Sequence, residues 1–319
     1  MKILIIKPSS LGDVVQSLPV LCNLRRHYPE AQIDWLVFSP YGELLEGHPD
    51  NDHVLSIQKP KLSWSLIKAD LLPLRRWFQE NRYDLSIDLQ GLFRSGIMTW
   101  MAGAKRKIGL ASAREGASFF YDETVQDSAT HAAARYLQVL DYLKIPYDPL
   151  LFRLEPTSAL PSELQEKSSY VVFHPYTRWK TKLWPWRNYQ KIAQKIAPES
   201  CVLIGNGPWF PCEGENIIDL RGRLDLKRTM KVLQGARIVI STDSGPGHLS
   251  AALGTETISL FGATDLQKTA PVGIKTATLF SAVSCSPCLK RTCNSPIPML
   301  CMKEISIFNV LSKIQDNIT

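Results

Sequence analysis

Short apolar runs that stop at glycine, proline, serine, threonine or aspartate recur along this chain, and most are followed by apolar residues at helical spacing. The first run, KILIIK, has no polar residue between Ile3 and Ile6, so it reads as a strand covered on both faces. Pro8, Ser9 and Ser10 break it, and from Gly12 onward Val14, Val15, Leu18, Leu21 and Leu24 fall on one helical face. IDWLVF, HVLSI and YDLSIDL continue the strands, with helical stretches near residues 13–27, 64–80 and 130–143. Strands that alternate with helices call for crossover connections and therefore a parallel, doubly wound sheet.

A polar segment rich in Pro, Ser and Glu, residues 155–169, interrupts this pattern and reads as a hinge. The pattern then restarts with SYVVFHP, CVLIGNGP, NIIDL, RIVISTDSG and ETISLFGATD. With 319 residues, 45% of them hydrophobic, each half can bury its own core. The expectation is an α/β protein of two Rossmann-like domains, residues 1–155 and 156–319, facing across a cleft. Ile305, Phe308, Leu311 and Ile314 then form the inner face of a closing helix.

The net charge of +7 favours acidic partners: nucleic acid, anionic lipid or phosphorylated metabolites. No run of 18 apolar residues is present and the chain starts with a charged strand, which predicts a cytosolic protein without a secretory signal. Its seven cysteines are then expected to be reduced.

Open α/β sheets build their sites at the carboxyl ends of strands, and two such ends carry chemistry here. After IVIST, residues Thr242, Asp243, Ser244 and Gly245 open a helix with free N–H groups that suit a diphosphate, with His248 one turn in; Asp243 or Ser244 acting simply as a cap is the alternative. After VVFH, a loop with Arg178, Lys180 and Lys182 offers three cations to an anionic leaving group, or is only a solvated basic loop. Neither G-x-x-x-x-G-K-[ST] nor G-x-G-x-x-G occurs at the required place, which argues against a P-loop ATPase and a dinucleotide enzyme. At the first strand end stands Asp13, a carboxylate where many such folds put glycines.

SSLGDVVQSLPVL, DLQGLFRSG, RWKTKLWP and STDSGPGHLSAALGTETISLFGATD together resemble the bacterial heptosyltransferases of glycosyltransferase family nine across nearly the whole chain. The resemblance implies a GT-B fold and inverting transfer of heptose from ADP-heptose to the inner core of lipopolysaccharide, needing no cofactor for catalysis. It implies Asp13 as the general base, Lys182 as the phosphate cation, and Thr242, Asp243, Ser244, Gly245 and His248 as the donor motif. An inverting transfer needs just one base and stabilisation of the departing diphosphate, so the chemistry agrees. Ser9, Ser10 and Gly12 beside the base, Lys61 in a basic and aromatic stretch that reads equally as an ordinary amphipathic helix with snorkelling lysines, and Arg114 and Glu115 in RKIGLASAREGASFFY are the expected acceptor contacts. The glycolipid acceptor places the enzyme at the cytoplasmic membrane surface. His131 fits the family pattern and equally a structural place at a helix start.

Two features depart from the family. Pro208, Trp209 and Phe210 stand where relatives carry an acid able to hold the ribose, leaving Glu213 and Glu215 as weak replacements, and GPGH has a glycine before the histidine in place of a bulkier residue. Cys285, Cys288, Cys293 and Cys301, spaced C-x2-C-x4-C-x7-C, are candidate ligands of a structural zinc. Together with the basic charge they also define a rival reading, a nucleic-acid-binding knuckle, against which stands the lack of an aromatic residue between the cysteines. A family-nine transferase with another ADP-sugar or acceptor is the other alternative. Asp50, Asn51 and Asp52 spell D-x-D but lie in a turn-rich stretch.

Overall fold

The computed structural model describes residues 1–58 and 64–315. Contacts divide the chain into two units, Met1–Leu154 and Glu155–Thr319.

In the first unit β1 (Lys2–Ile6), β2 (Gln32–Phe38), β3 (His53–Ile57), β4 (Leu85–Asp88), β5 (Arg106–Leu110) and β6 (Glu123–Val125) form one parallel sheet in the order β3-β2-β1-β4-β5-β6. β1 lies at its centre, with Ile3 facing Ile33 of β2 on one side and Leu85 of β4 on the other. Ile3, Leu4, Ile5 and Ile6 are fully buried, as a strand covered by helices on both faces must be. The helix Leu11–His27 follows β1 and carries Arg25, Arg26 and His27 in its last turn, where cations complement the helix dipole.

The second unit repeats the plan. β7 (Tyr170–His174), β8 (Ser200–Leu203), β9 (Ile217–Asp219), β10 (Ile238–Thr242), β11 (Glu256–Phe261) and β12 (Thr276–Phe280) form a parallel sheet in the order β12-β11-β10-β7-β8-β9. In each unit the first strand separates two runs wound in opposite directions, so the strand order reverses between β1 and β4 and again between β7 and β10. A doubly wound sheet opens its ligand crevice at such a switch point.

Three strands escape the apolar-run pattern. β5 and β6 mix charged residues with few apolar ones, and β12 is an outer strand of half-exposed residues, so none presents a long hydrophobic run. The closing helix spans Ile307–Gln315, but its inner face is Val310 and Ile314. Phe308 is 76% exposed and Ile305 precedes the helix. A strict spacing of three drifts around a helix of 3.6 residues per turn, which rotates Phe308 away from the core. Asp50 and Asp52 hold the turn before β3: Asp50 Oδ1 accepts from Arg153 at 2.7 Å and Asp52 Oδ2 accepts from Arg25 at 2.5 Å.

Gly109, buried in β5, lets the ring of Tyr121 lie against the strand, and a Cβ there would overlap that ring. Tyr121 in turn donates to Asp88 at the end of β4. Gly109→Ala should therefore cost roughly 1–3 kcal/mol, the usual penalty of overpacking. Urea denaturation would show it as a lower midpoint with an unchanged slope, whereas an unchanged midpoint would mean that the ring relocates freely.

Candidate active site

At the switch point of the first unit, the chain leaves β1 through Lys7 and turns at Pro8, Ser9 and Ser10. Ser10 donates to Asp13 Oδ2 from both its N–H, at 3.0 Å, and its hydroxyl, at 2.6 Å. A carboxylate at the third helical position satisfies the orphan N–H at the helix start, so part of what fixes Asp13 is capping. Its other oxygen accepts from Tyr136 Oη at 3.2 Å. The carboxylate is half-buried and held on both oxygens.

The motif DLQG positions this turn. Asp88 is fully buried, and its Oδ1 accepts from the N–H groups of Gln90 and Gly91 while Oδ2 accepts from Tyr121 at 2.7 Å. Burial pushes its carboxyl up against these hydrogen bonds, which favour the charged form. The tight turn sends the Gln90 side chain to the N–H of Ser9 at 3.2 Å, and the carbonyl of Gly91 accepts from Arg114 N at 2.8 Å. Ser9, Ser10, Gly12 and Asp13 thus form one constellation, to which the exposed Arg114 and Glu115 are joined through Gly91. Lys61 lies outside the described residues. His131 caps the helix Ala132–Tyr142 by accepting from Ala133 N, which is the structural role.

At the switch point of the second unit, Asp243 follows β10 and is 7% exposed. Its Oδ2 accepts from Lys182 Nζ and from Thr264 Oγ1, each at 2.6 Å, and His248 Nε2 lies 4.0 Å from its Oδ1. Lys182 is thus the inward cation of its loop, while Arg178 and Lys180 point to solvent. Lys182 and the exposed Arg291 both sit on the ring of Trp179, at 4.7 and 5.2 Å from its centroid. Arg291 arrives on the cysteine-bearing segment, which is anchored by Ser286 Oγ to the Gly262 carbonyl, Leu289 N to the Ala263 carbonyl and Thr181 Oγ1 to the Lys290 carbonyl.

Ser244 opens the helix Gly245–Ala252. Pro246 has no N–H, and Gly247 and His248 return theirs to the Ser244 carbonyl, so Ser244 and Gly245 carry the donors that this end can offer. Gly247 answers the question of the missing apolar residue: a Cβ there would meet Ser241 Oγ at 3.1 Å, so the glycine seats the helix close on β10. Thr242 of the donor motif is fully buried, and its hydroxyl donates to the Tyr176 carbonyl at 3.1 Å, tying β10 to the loop after β7. Ser241 donates to the Thr242 carbonyl, so Ser244 donates to Ser241 and accepts from His174 Nδ1 at 3.0 Å. Nε2 of His174 is left as an acceptor. Burial lowers the His174 pKa to about 4.

Beside His174 lies a cavity of about 210 Å³, lined also by Gly205, Asn206, Leu220, Asp225 and Pro246. That is below the roughly 300–1,000 Å³ of a drug-sized ligand site and of an order for one nucleoside. Neither Glu213 nor Glu215 lines it; the polar side chains there are Asn206, Asp225 and Thr229. The Asp225 signal was present in RLDLKRTM, as an N-cap before a helical run, and the structure shows it accepting from Arg228 N at 2.7 Å.

Cys285, Cys288, Cys293 and Cys301 come near enough for the other three to push the Cys301 thiol up, after burial itself. They do not gather as a tetrahedral ligand set. Among the described residues the group of three or more metal-type side chains within 4.8 Å is Cys22, His48 and Asp50. Cys301 packs in the core and Cys293 Sγ accepts from Met299 N. His48 is likewise engaged, through Nδ1 to Asp50 N and Nε2 to the Phe152 carbonyl, so that trio ties the end of the unit to its first helix.

Against known proteins, the family model of glycosyltransferase family 9 (heptosyltransferase) matches residues 71–297. The chain belongs to glycosyltransferase family 9. Lipopolysaccharide heptosyltransferase 1 of Pseudomonas aeruginosa is 33% identical over 315 residues, spanning 92% of this chain and 87% of that one. The E. coli heptosyltransferase WaaC with ADP superposes with a TM-score of 0.80 at 24% identity, covering 99% of this chain and 100% of that one. WaaC with ADP-2-deoxy-2-fluoro heptose gives 0.77 at 25% identity, with the same coverage. The two doubly wound units are those of the GT-B fold, and this family-9 heptosyltransferase is an enzyme. Sequence reading missed Thr264, Arg291 and Tyr136, each brought to the site by a strand end, loop or helix remote along the chain.

Because His174 is neutral in the folded enzyme down to pH about 4 and ordinarily titrates near 6.5, the unfolded chain binds the extra proton first. Stability should be lost as pH falls from about 6.5 to 4, by an order of 3 kcal/mol at most. Urea midpoints for wild type and His174→Gln across that range should converge as the pH drops; parallel curves would contradict the assignment.

Proposed function

We propose that this enzyme transfers heptose from ADP-heptose to the inner core of lipopolysaccharide, at keto-deoxy-octulosonate or the first heptose, with inversion and without a catalytic metal. The observation that carries it is that each unit holds one half of the needed chemistry, a held, half-buried carboxylate at the β1 switch point of the first and an inward lysine bonded to Asp243 after β10 of the second. Asp13 takes the proton of the acceptor hydroxyl as its oxygen attacks the anomeric carbon. The carbon–oxygen bond to the diphosphate breaks on the opposite face, and the electron pair leaves with ADP. Negative charge then grows on the β-phosphate, where Lys182, Arg291 and the N–H groups of Ser244 and Gly245 stabilise it. Asp243 orients Lys182 through its carboxylate rather than meeting the phosphate itself, and the cavity at His174 takes the adenosine. The names of the relatives and the ADP-bearing structures support this donor.

The first unit binds the acceptor and the second the donor. Phe93 is 48% and Phe119 90% exposed, and Arg94 and Arg114 of the same unit are exposed too, a combination suited to a glycolipid at an anionic membrane surface. No helix among the described residues is long and apolar enough to cross a membrane.

Asp13→Asn keeps the shape of the side chain and removes the base. It should cut transfer by about 10²–10⁴-fold, the usual worth of general base catalysis, with ADP binding within about twofold of wild type by calorimetry. Retention of most turnover would refute the assignment. Arg291→Ala should weaken ADP about tenfold and leave adenosine unchanged, since charge-assisted bonds to phosphate are the strong ones; equal loss for both ligands would place Arg291 outside the diphosphate site.

A further inference from the structure

Lys7 is a buried cation that the transfer as described leaves without work, and its position is specific. It is 3% exposed at the end of β1, and its Nζ donates to the Leu89 carbonyl at 3.0 Å and to Tyr136 Oη at 2.9 Å. The same ammonium lies 4.4 Å from the Tyr136 ring centroid. An ammonium has donors and no acceptor, so the phenol oxygen accepts from it and turns its own proton to Asp13 Oδ1, 3.2 Å away.

We propose that Lys7 and Tyr136 are positioning residues that hold Asp13 ionised and aimed, so that the base is charged before the acceptor arrives. This rests on the reading of Asp13 as the base. The direction of the chain is dictated by donor chemistry: ammonium to phenol to carboxylate. Ser10 fixes one carboxylate oxygen and Tyr136 the other, which leaves the carboxylate little freedom to rotate. A half-buried carboxylate loses hydration, and the relay replaces it with fixed donors and a nearby positive charge.

The surrounding charges are consistent with that role. Burial lowers the Lys7 pKa, while Asp13 and Asp88 draw it up and Arg135 opposes them. Tyr136 is pushed well above the phenol range by burial and by Asp13, which keeps its proton available for donation. Arg135 is itself turned to Asp127 and Ser112, and Asp88 to Tyr121, while Lys7 is bonded directly to Tyr136.

The test is the pH dependence of transfer by Tyr136→Phe, which keeps the ring over Lys7 and removes only the hydroxyl. Without the donor, Asp13 retains its proton to higher pH, so the acid limb of kcat/KM should move up by about one pH unit. On the plateau kcat should fall about tenfold with the donor KM unchanged, and thermal unfolding should match wild type. A merely structural tyrosine would lower activity equally at every pH or lower the melting temperature, and either result with an unmoved limb overturns the proposal. Asp13→Asn is measured alongside. If it stays active, the base assignment itself fails; if it is dead while the Tyr136→Phe limb stays in place, only the relay fails.

Discussion

A parallel sheet covered by helices on both faces exposes the backbone of its inner strands only at their ends, and the reversal of strand order decides which ends stand apart. Both units of this protein obey that constraint, with reversals between β1 and β4 and between β7 and β10. The two candidate carboxylates stand at those two places. Asp13 follows the central strand of the first sheet, and Asp243 follows a central strand of the second. The same architecture therefore presents a carboxylate twice, and the neighbours make the two different.

Asp13 is half-buried and accepts from Ser10 and Tyr136, whereas Asp243 is 7% exposed and bonded to Lys182 and Thr264. The first arrangement suits a base, which must take a proton. The second suits an orienting counter-ion, which must keep a cation in place until a stronger anion arrives. Trp179 extends that logic by gathering Lys182 and Arg291 on one ring, so the cysteine-bearing segment contributes charge through a residue that is not a cysteine.

Much of this was readable from the chain because burial writes itself locally: a short apolar run such as Ile3–Ile6, stopped at once by turn residues, reads as a buried strand. The turn residues after β1 and β10 were equally plain, since Pro, Ser, Gly and Asp cluster where the run stops. What could not be read was any contact between distant segments. Tyr136 meets Asp13 across 123 residues, and Lys182 meets Asp243 across 61. The hydroxyl of Thr242 donates to a loop carbonyl 66 residues away, a contact that no local pattern announces. Short polar strands such as β6 escaped for the opposite reason, having too little apolar surface to leave a pattern.

The most direct test of the central claim is the product formed by the wild-type enzyme from ADP-heptose and a short keto-deoxy-octulosonate lipid A acceptor, with its mass and anomeric configuration both determined. A single base and a stabilised leaving diphosphate predict one added heptose whose anomeric configuration is opposite to that of the donor. A product with retained configuration would contradict the account, because it would require a nucleophile on the enzyme in place of a base on the acceptor.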